Sequence, residues 1–597
     1  MTKWKIKKTN VDIKLMAQTL GINETVAVAI ANRGIRTKKA CQKYLNPKLD
    51  FLNNTFEMYD LKNAFDLIIN TVREKGKIAV YGDYDVDGVV STTILYKSLK
   101  QFGADVIFYI PDRISEGYGL NKDAVRKLKD DDVSLIITCD NGIASLEEIQ
   151  LAKSLGMKTI IIDHHEPGYA TDKLGNEIDI LPEANAIVNP KQKRCTYPFK
   201  LLCAGGICYK FMVSFFSYCE VDLPNSDELL VLAMIATFCD VVDLIDENRI
   251  IAKNGLDVLN KNKKINTGLF SLISEKSLVD KDLDGFHMGF IIGPCINATG
   301  RLEKAELAVA LLTSENTIET AEISKKLAEL NDERKAMTKK SVEDAIDRLS
   351  SDETLANDSV IVIYDKDVHE SIAGIVAGRI KEEFHKPTIV LTNAEGCAKG
   401  SARSIEAYNI FLELFECREL FLRFGGHPMA AGLSLIPENI PLLRKKLNEN
   451  CTLTIDDFVE IIKIDKELQL EDVTYQLATS LDVLLPFGKE NKEPLFGTKN
   501  LNIESLKVIE EKNTIIFTFS VPETFRQIKG ICFGKVDFLK QNLLNIHDEF
   551  DTNKILNGIL RNANFTIDVV YFIDVNEFRN NVSVQLKIKD FRLVPKT

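Results

Sequence analysis

Tyr81-Gly82-Asp83-Tyr84-Asp85-Val86-Asp87-Gly88 is the stretch on which the fold of this chain turns. Three carboxylates alternate over five residues, directly after the apolar run Lys77-Ile78-Ala79-Val80. A short apolar run of this kind predicts a buried strand. The end of a strand in an α/β fold is a natural place for a ligand or an ion. Like charges crowded together are unfavourable unless something positive sits among them. A divalent cation would serve, and so would solvent with a nearby lysine; the stretch by itself leaves both open.

Working outward, the surrounding pattern alternates. Helices are expected over 61–74, 89–102, 121–128 and 145–155, and strands over 78–80, 104–110, 134–138, 158–162 and 186–188. Strands alternating with helices argue for a mostly parallel, doubly wound sheet. The acids at 83–87, Asp140 in Cys139-Asp140-Asn141-Gly142, and Asp163-His164-His165 all fall just past the C-terminal ends of apolar runs. In a parallel sheet those ends share one edge. Four or five carboxylates and two imidazoles gathered there suit two Mn²⁺ or Mg²⁺ ions. Zinc fits less well, because no cysteine shows a ligand spacing.

Further along, 229–239 is apolar on nearly all sides and reads as a buried helix ending at Asp240, which is either a cap or ion-pair partner or a further metal ligand. Residues 293–301 read as turn-rich, with Arg301 pairing a core carboxylate or holding a phosphate. Ile323, Leu327, Leu330 and Met337 keep a helical spacing within 305–350, expected as one or two long, solvated linker helices. A second α/β unit begins near 359, with strands over 360–364 and 388–391, a helix over 372–384, and three polar features: His369, Ser401-Ala402-Arg403-Ser404 and Gly425-Gly426-His427. Gly-Gly permits close backbone approach to a phosphate or sugar, or simply a tight turn; Arg403 and His427 are phosphate contacts or ordinary hydrogen bonds. Short β-type runs at 459–464, 513–519, 565–573 and 582–588 suggest a small barrel, of the oligonucleotide-binding kind, in which Phe487, Phe496 and Phe572 are stacking platforms or core. The first 50 residues read as a helical packing layer, with Thr37 capping a helix.

Composition narrows the class. The chain has 597 residues, 45% hydrophobic and 27% charged, enough for roughly three to four domains. A net charge of −12 gives no global basic signature, though a local basic groove is compatible with it. Twelve scattered cysteines without CxxC pairs fit reduced thiols. The basic N-terminus lacks the apolar run of a signal peptide, and no window is long enough to span a bilayer. A soluble cytoplasmic protein without membrane contact is expected.

Gly82–Gly88, Asp140-Asn141-Gly142, Asp163-His164-His165 and Thr237-Phe238-Cys239-Asp240 resemble, in order, the four signature motifs of the DHH phosphoesterases. The resemblance is strongest to the members that degrade single-stranded DNA. It extends through Pro111–Gly119, Val188-Asn189-Pro190-Lys191, Glu247-Asn248-Arg249 and Gly293–Arg301. It continues through His369 with Gly374–Arg379, Gly400–Ser404 and Gly425–Gly432, and into Pro486-Phe487-Gly488 and Asn491–Phe496. It thus covers nearly the whole chain. It implies an N-terminal helical segment (1–50), a parallel-sheet DHH catalytic domain (51–304), a long connecting helix (305–350), a second α/β DHH-associated domain (351–450) and a C-terminal OB-like β-barrel (451–597). It further implies 5′→3′ hydrolysis of single-stranded DNA to mononucleotides in repair and recombination. Asp85, Asp87, Asp140, His164 and Asp240 would hold two divalent cations, Mn²⁺ or Mg²⁺, with Asp140 bridging and Asp83 as supporting acid or ligand. His165 would sit beside the reacting phosphate, Asn297 and Arg301 near the substrate phosphates, and Arg113, His369, Ser401, Arg403, Gly425, Gly426 and His427 along the strand. A helicase and a single-strand-binding protein are the partners it suggests.

Some positions depart from the family pattern. Tyr81 stands where some relatives carry a metal-binding histidine, which would leave one metal fewer protein ligands. Cys295 stands where arginine is common, Val368 and Ser371 flank His369 in place of tryptophan and glycine, and Ala402 replaces a glycine. Two other readings compete: a DHH enzyme acting on short oligoribonucleotides or cyclic dinucleotides, and an inactive DNA-binding replication scaffold. The 451–597 segment and the retained acids argue against them.

Overall fold

The apolar runs become strands because both faces of the sheet they form are covered. In the computed structural model, which describes residues 2–171, 175–394, 396–546, 548–561, 563–578 and 581–595, the strands β1 (Lys77–Tyr81), β2 (Val106–Tyr109), β3 (Val133–Cys139), β4 (Lys158–Ile162) and β5 (Ala186–Val188) make an all-parallel sheet. Its order is β2-β1-β3-β4-β5. The order reverses between β1 and β3, the place where such sheets open a crevice at their C-terminal edge. Side chains alternate along β1: Ile78 and Val80 join one core layer, Ala79 and Tyr81 the other. The helix α1 (Val86–Gln101) packs with α2 (Ala204–Tyr218) and α3 (Ser226–Cys239), whose central residues Leu229–Ala236 are fully buried, as their all-round apolarity requires.

Two expectations for this half are corrected. α1 begins at Val86 rather than 89, because Asp85 caps it: the Gly88 N–H donates to Asp85 Oδ1 at 3.1 Å. Gly88 is therefore inside the first turn. Residues 293–301, expected as turns, form α4 (Gly293–Leu302), entered through a π-helical turn, His287–Ile292. Pro294 sits in its first turn, where a missing N–H costs nothing. Its glycines serve packing: a Cβ on Gly300 would lie 2.4 Å from the Tyr84 carbonyl oxygen, and one on Gly88 2.5 Å from that of Asp83. The acid loop is pressed between two helices at points where only hydrogen fits.

The 305–350 region gives Glu306–Thr313 and a 35-residue helix, α5 (Thr317–Ser351). α5 is no solvated linker. Ile323, Leu327 and Leu330 are buried, its first half packs on α4 and on Thr267–Glu275, and its second half packs on α6 (Ala373–Phe384). The second α/β half has a mixed sheet of β6 (Ile361–Tyr364), β7 (Thr388–Ala394), β8 (Cys397–Arg403), β9 (Phe421–His427) and β10 (Ala430–Leu435), in the order β9-β10-β8-β7-β6. Only β6 and β7 are parallel.

These elements belong to one compact unit, Leu49–Glu460; Thr2–Lys48 and Ile461–Thr597 form another. The first residues, expected to be helical throughout, open with a strand, Lys3–Ile6, paired in parallel with Ile461–Ile464. The helices that follow share an apolar core with the C-terminal barrel, so they are part of that unit and not a separate layer. Phe496–Ile509, Thr514–Ser520, Gln527–Phe533, Asn581–Pro595 and Phe565–Phe578 pair in that sequence, and the last returns to the first. This is a closed five-stranded barrel of the oligonucleotide-binding kind. Phe496 is wholly buried in it and cannot stack on a base, while Phe487 and Phe572 are partly buried against apolar clusters. All twelve cysteines are free thiols. Among the described residues no helix is long and apolar enough to cross a membrane.

Gly300→Ala should destabilise the protein by about 1–3 kcal/mol, the usual cost of overpacking, whereas Gly378→Ala on α6, where an added Cβ meets nothing within 4 Å, should be neutral or stabilising. Urea unfolding of the two variants checks the contrast.

Candidate metal centre

Each ligand candidate is delivered by the end of a regular element. Asp83, Asp85 and Asp87 follow β1, with Asp87 in the first turn of α1. Both Asp87 oxygens accept from the N-terminus of α2, from Ala204 N–H at 2.8 Å and Gly205 N–H at 2.7 Å, where the helix dipole favours a negative charge. Asp140 leaves β3 in the left-handed region (φ 63°), which Asp tolerates better than most residues. Asp163, His164 and His165 follow β4, and Asp240 ends α3.

These residues converge. His164 Nε2 lies 3.1 Å from Asp140 Oδ1 and 3.8 Å from Asp87 Oδ2, and its Nδ1 lies 3.8 Å from Asp240 Oδ2. Three ligand-type groups have donor atoms within 4.8 Å of one another: Asp87 with His164 and Asp240, Asp83 with Asp85 and Asp140, and Asp140 with His164 and His165. Asp140 and His164 each belong to two of them. Asp83 is buried, and among the described residues its Oδ1 has no hydrogen-bond partner. A buried carboxylate oxygen left bare is costly. Burial, and then the neighbouring acids, raise Asp83 and Asp140 well above the ordinary carboxylate value; the same causes raise Asp240 and push Asp87 up to about 7. An oxygen-rich set with one imidazole, short of positive charge, fits Mn²⁺ or Mg²⁺.

The two histidines differ although they are adjacent. Burial, with His165 next to it, drops His164 to about 3, so it is a neutral imidazole suited to a metal. Burial works against charge on His165 too, but its hydrogen bond to Asp163 prevails and raises it to about 9. Asp163 is also buried, yet His165 holds it below the usual carboxylate range. Asp163 Oδ1 accepts from His165 Nδ1 at 2.8 Å and from the His164 and His165 amides, and Oδ2 accepts from Ile143 N–H. It orients the pair and takes no place among the metal groups, a role that the motif alone does not reveal.

Beyond the acids, a cleft of about 670 Å³ separates the two α/β halves; Tyr84, Arg113 and Tyr118 line one wall, and Ser371, Ser401 and Gly425 the other. A second cavity of about 430 Å³ holds Arg113, Arg301 and His369. Arg301 donates to the Ser371 carbonyl, and burial followed by Arg113 and Arg334 lowers it to about 10, still charged at neutral pH. Among the described residues no carboxylate lies within ion-pair distance of Arg301, so pairing with a core acid is excluded. The Arg113 guanidinium lies 4.7 Å over the Tyr84 ring. Arg403 packs with Ser401 where a Cβ of Gly374, in the first turn of α6, would stand. Asn297 Oδ1 accepts from Val86 N–H at 3.2 Å and so ties α4 to the acid loop. His369 bonds Ser371 Oγ at 2.7 Å. Gly426, His427 and Arg403 line neither cavity. Two residues outside the expected set also reach the centre. Tyr118, between Gly117 and Gly119, donates to the Asp140 carbonyl at 3.1 Å, and Lys191 lowers Asp240 electrostatically.

Tyr81 is not at the centre. It faces the opposite layer, stacks on Tyr109 at 5.2 Å and donates to the Gly119 carbonyl. Cys295 is buried, with the Asn331 amide donating to its sulfur at 3.5 Å, and so faces α5 rather than the cleft.

Proton linkage gives a test. A carboxylate raised from 3.8 to about 7 contributes stability below pH 4 that is lost as pH rises through 7. A cation that replaces those protons should therefore stabilise more at high pH. The Mn²⁺-induced rise in melting temperature is expected to be larger at about pH 8 than at about pH 5, and Asp87→Asn should shrink the difference.

Residues 77–237 match the DHH family N-terminal domain, 357–452 the DHHA1 domain and 464–590 the RecJ OB domain. The single-stranded-DNA-specific exonuclease RecJ of Bacillus subtilis is 37% identical over 98% of this chain and 70% of its own length. The crystal structure of Thermus thermophilus RecJ in complex with Mn²⁺ superposes with a TM-score of 0.80 at 23% identity, covering 100% of this chain and 80% of that one. A crystal structure of exonuclease RecJ bound to manganese gives 0.57 at 28% identity, over 68% of this chain and 97% of the other. With three domain matches in this order and that identity over nearly its full length, the chain belongs to the RecJ family of single-stranded-DNA-specific exonucleases.

Proposed function

We propose that this chain hydrolyses single-stranded DNA from its 5′ end to mononucleotides, in repair and recombination, with two divalent cations, Mn²⁺ or Mg²⁺. The observation that carries the reading is the buried acid set with a bare Asp83 oxygen, beside a cleft flanked by arginines that lack carboxylate partners. Asp87, His164 and Asp240 would hold one cation, Asp83 and Asp85 the other, and Asp140 would be shared. Bound there, the cations would neutralise the phosphodiester, lower the pKa of the attacking water and stabilise the leaving oxygen.

The protein's own residues do the rest. Charged at neutral pH, His165 donates from Nδ1 to Asp163 and carries a second proton on Nε2 that it can give to a phosphate oxygen or to the leaving group. Asn297, Gly88 and Gly300 keep the acid loop from shifting. Arg113 and Arg301, with their planar forks, would bind phosphates on one side of the cleft. Ser401, Gly425 and His369 would hold the 5′ side on the other. In this reading 51–304 is the catalytic domain, 305–350 the connecting helix, 351–450 the DHH-associated domain and 451–597 the barrel. A cytoplasmic location accords with the free thiols, and a helicase and a single-strand-binding protein are the proposed partners.

Asp140→Ala should abolish turnover while strand binding survives, and His165→Ala should cost ~10²–10⁴-fold, the range of a general acid. Labelled long single strands and dinucleotides, each supplied with Mn²⁺, distinguish the substrate classes: cleavage of dinucleotides alone would overturn the proposal. Binding should weaken as salt is added, which anisotropy titrations would read.

A further inference from the structure

Phe286 and Phe290 are 58% and 68% exposed, and their rings stack 5.2 Å apart at 22°. Two large apolar rings held parallel in solvent are costly for a fold to keep unless something covers them. Their position says what. They flank and occupy the π-helical turn His287–Ile292, which runs without a break into α4. Such turns mark functional sites more often than chance.

Residues four and seven apart share a helix face. Asn297 and Arg301, four apart, share the face of α4 that meets the acid loop and the arginine cavity, and Phe286 and Phe290 stand at the π-helical run that leads into that helix. Phe290 lies about 10 Å along the axis from Asn297, a span that a short stretch of strand can bridge. The turn is also fixed to the metal centre: Cys239 Sγ, one residue before Asp240, bonds the Met288 carbonyl at 3.6 Å.

We propose that Phe286 and Phe290 form a stacking platform for unpaired bases of the strand whose phosphate reacts at the acid cluster. The inference rests on the nuclease reading above and adds to it a base contact that needs no sequence, because every base offers a π-face. It also supplies a reason to favour an unpaired strand, since a base paired in a duplex cannot swing onto the rings.

The test compares the wild-type protein with Phe286→Ala/Phe290→Ala in EDTA, so that the strand is not consumed. The probes are a labelled oligothymidylate and a strand of equal length carrying abasic sites. The double variant should bind oligothymidylate about tenfold more weakly, a factor within the worth of one stacked base, and the abasic strand as tightly as wild type does. Phe286→Trp/Phe290→Trp should restore the difference, and circular dichroism and melting temperature show whether the alanine variant is folded. Equal affinity of both proteins for oligothymidylate, or an equal loss on both strands, would overturn the platform and point to a protein-docking face. Failure of the wild-type protein to bind either strand would overturn the nuclease reading and the platform with it.

Discussion

The constraint on which the rest of the site depends is the crowding of carboxylates at one edge of the parallel sheet. Burial denies Asp83, Asp87, Asp140 and Asp240 water, and the neighbouring Asp85 raises the pKa of all four, with Asp87 adding to the rise of Asp140 and Asp240. The protein relieves part of the cost with the α2 N-terminus on Asp87 and with Lys191 near Asp240, but it leaves an Asp83 oxygen bare. Protons relieve this crowding at low pH, and a bound cation would relieve it as the pH rises. The surrounding features serve to keep it in place: Gly88 and Gly300 let two helices clamp the loop, Asn297 ties it to α4, and Asp140 accepts a left-handed backbone.

A single hydrogen bond divides the labour between adjacent histidines. Asp163 engages the His165 ring, while burial, with His165 beside it, keeps His164 uncharged, so one imidazole is charged and the other neutral at the same pH. The neutral one can ligate a metal and the charged one can supply a proton. Two identical side chains thus take opposite roles because of where one carboxylate points.

Charge is also segregated within the cleft region. The acids form a negative centre, while Arg113 and Arg301, which line the cavities beside it, have no ion-pair partners among the described residues. Cations that neutralise the centre would add to the attraction these arginines exert on a polyanion. The overall charge of −12 hides this, because fields at a cleft are set by nearby groups. α5 packs on both halves and therefore sets the separation of the two walls.

Much of this is legible in the sequence, and for identifiable reasons. Strands buried on both faces are written as unbroken apolar runs, so β1, β3, β4 and β5 can be read directly, and the acids after them must share an edge once the sheet is parallel. The motifs name the ligand candidates for the same reason: the chemistry is local and dense. What the sequence misstates is where a local signal has a distant cause. Glycines and a proline at 293–301 read as turns, but they permit close contact with Tyr84 and Cys239, far away in the chain. The hydrophobic positions of α5 look like those of a linker, since spacing does not say what a helix packs against. Lys3–Ile6 is a strand only because Ile461–Ile464 pairs with it. Tyr81 occupies a position that could have reached the metals, and the two-residue repeat of β1 turns it to the other layer. Sequence by itself determined which residue types carry the chemistry and which elements present them. Only the tertiary structure decided which of them meet, because contacts between residues a hundred positions apart are set by packing and not by local preference.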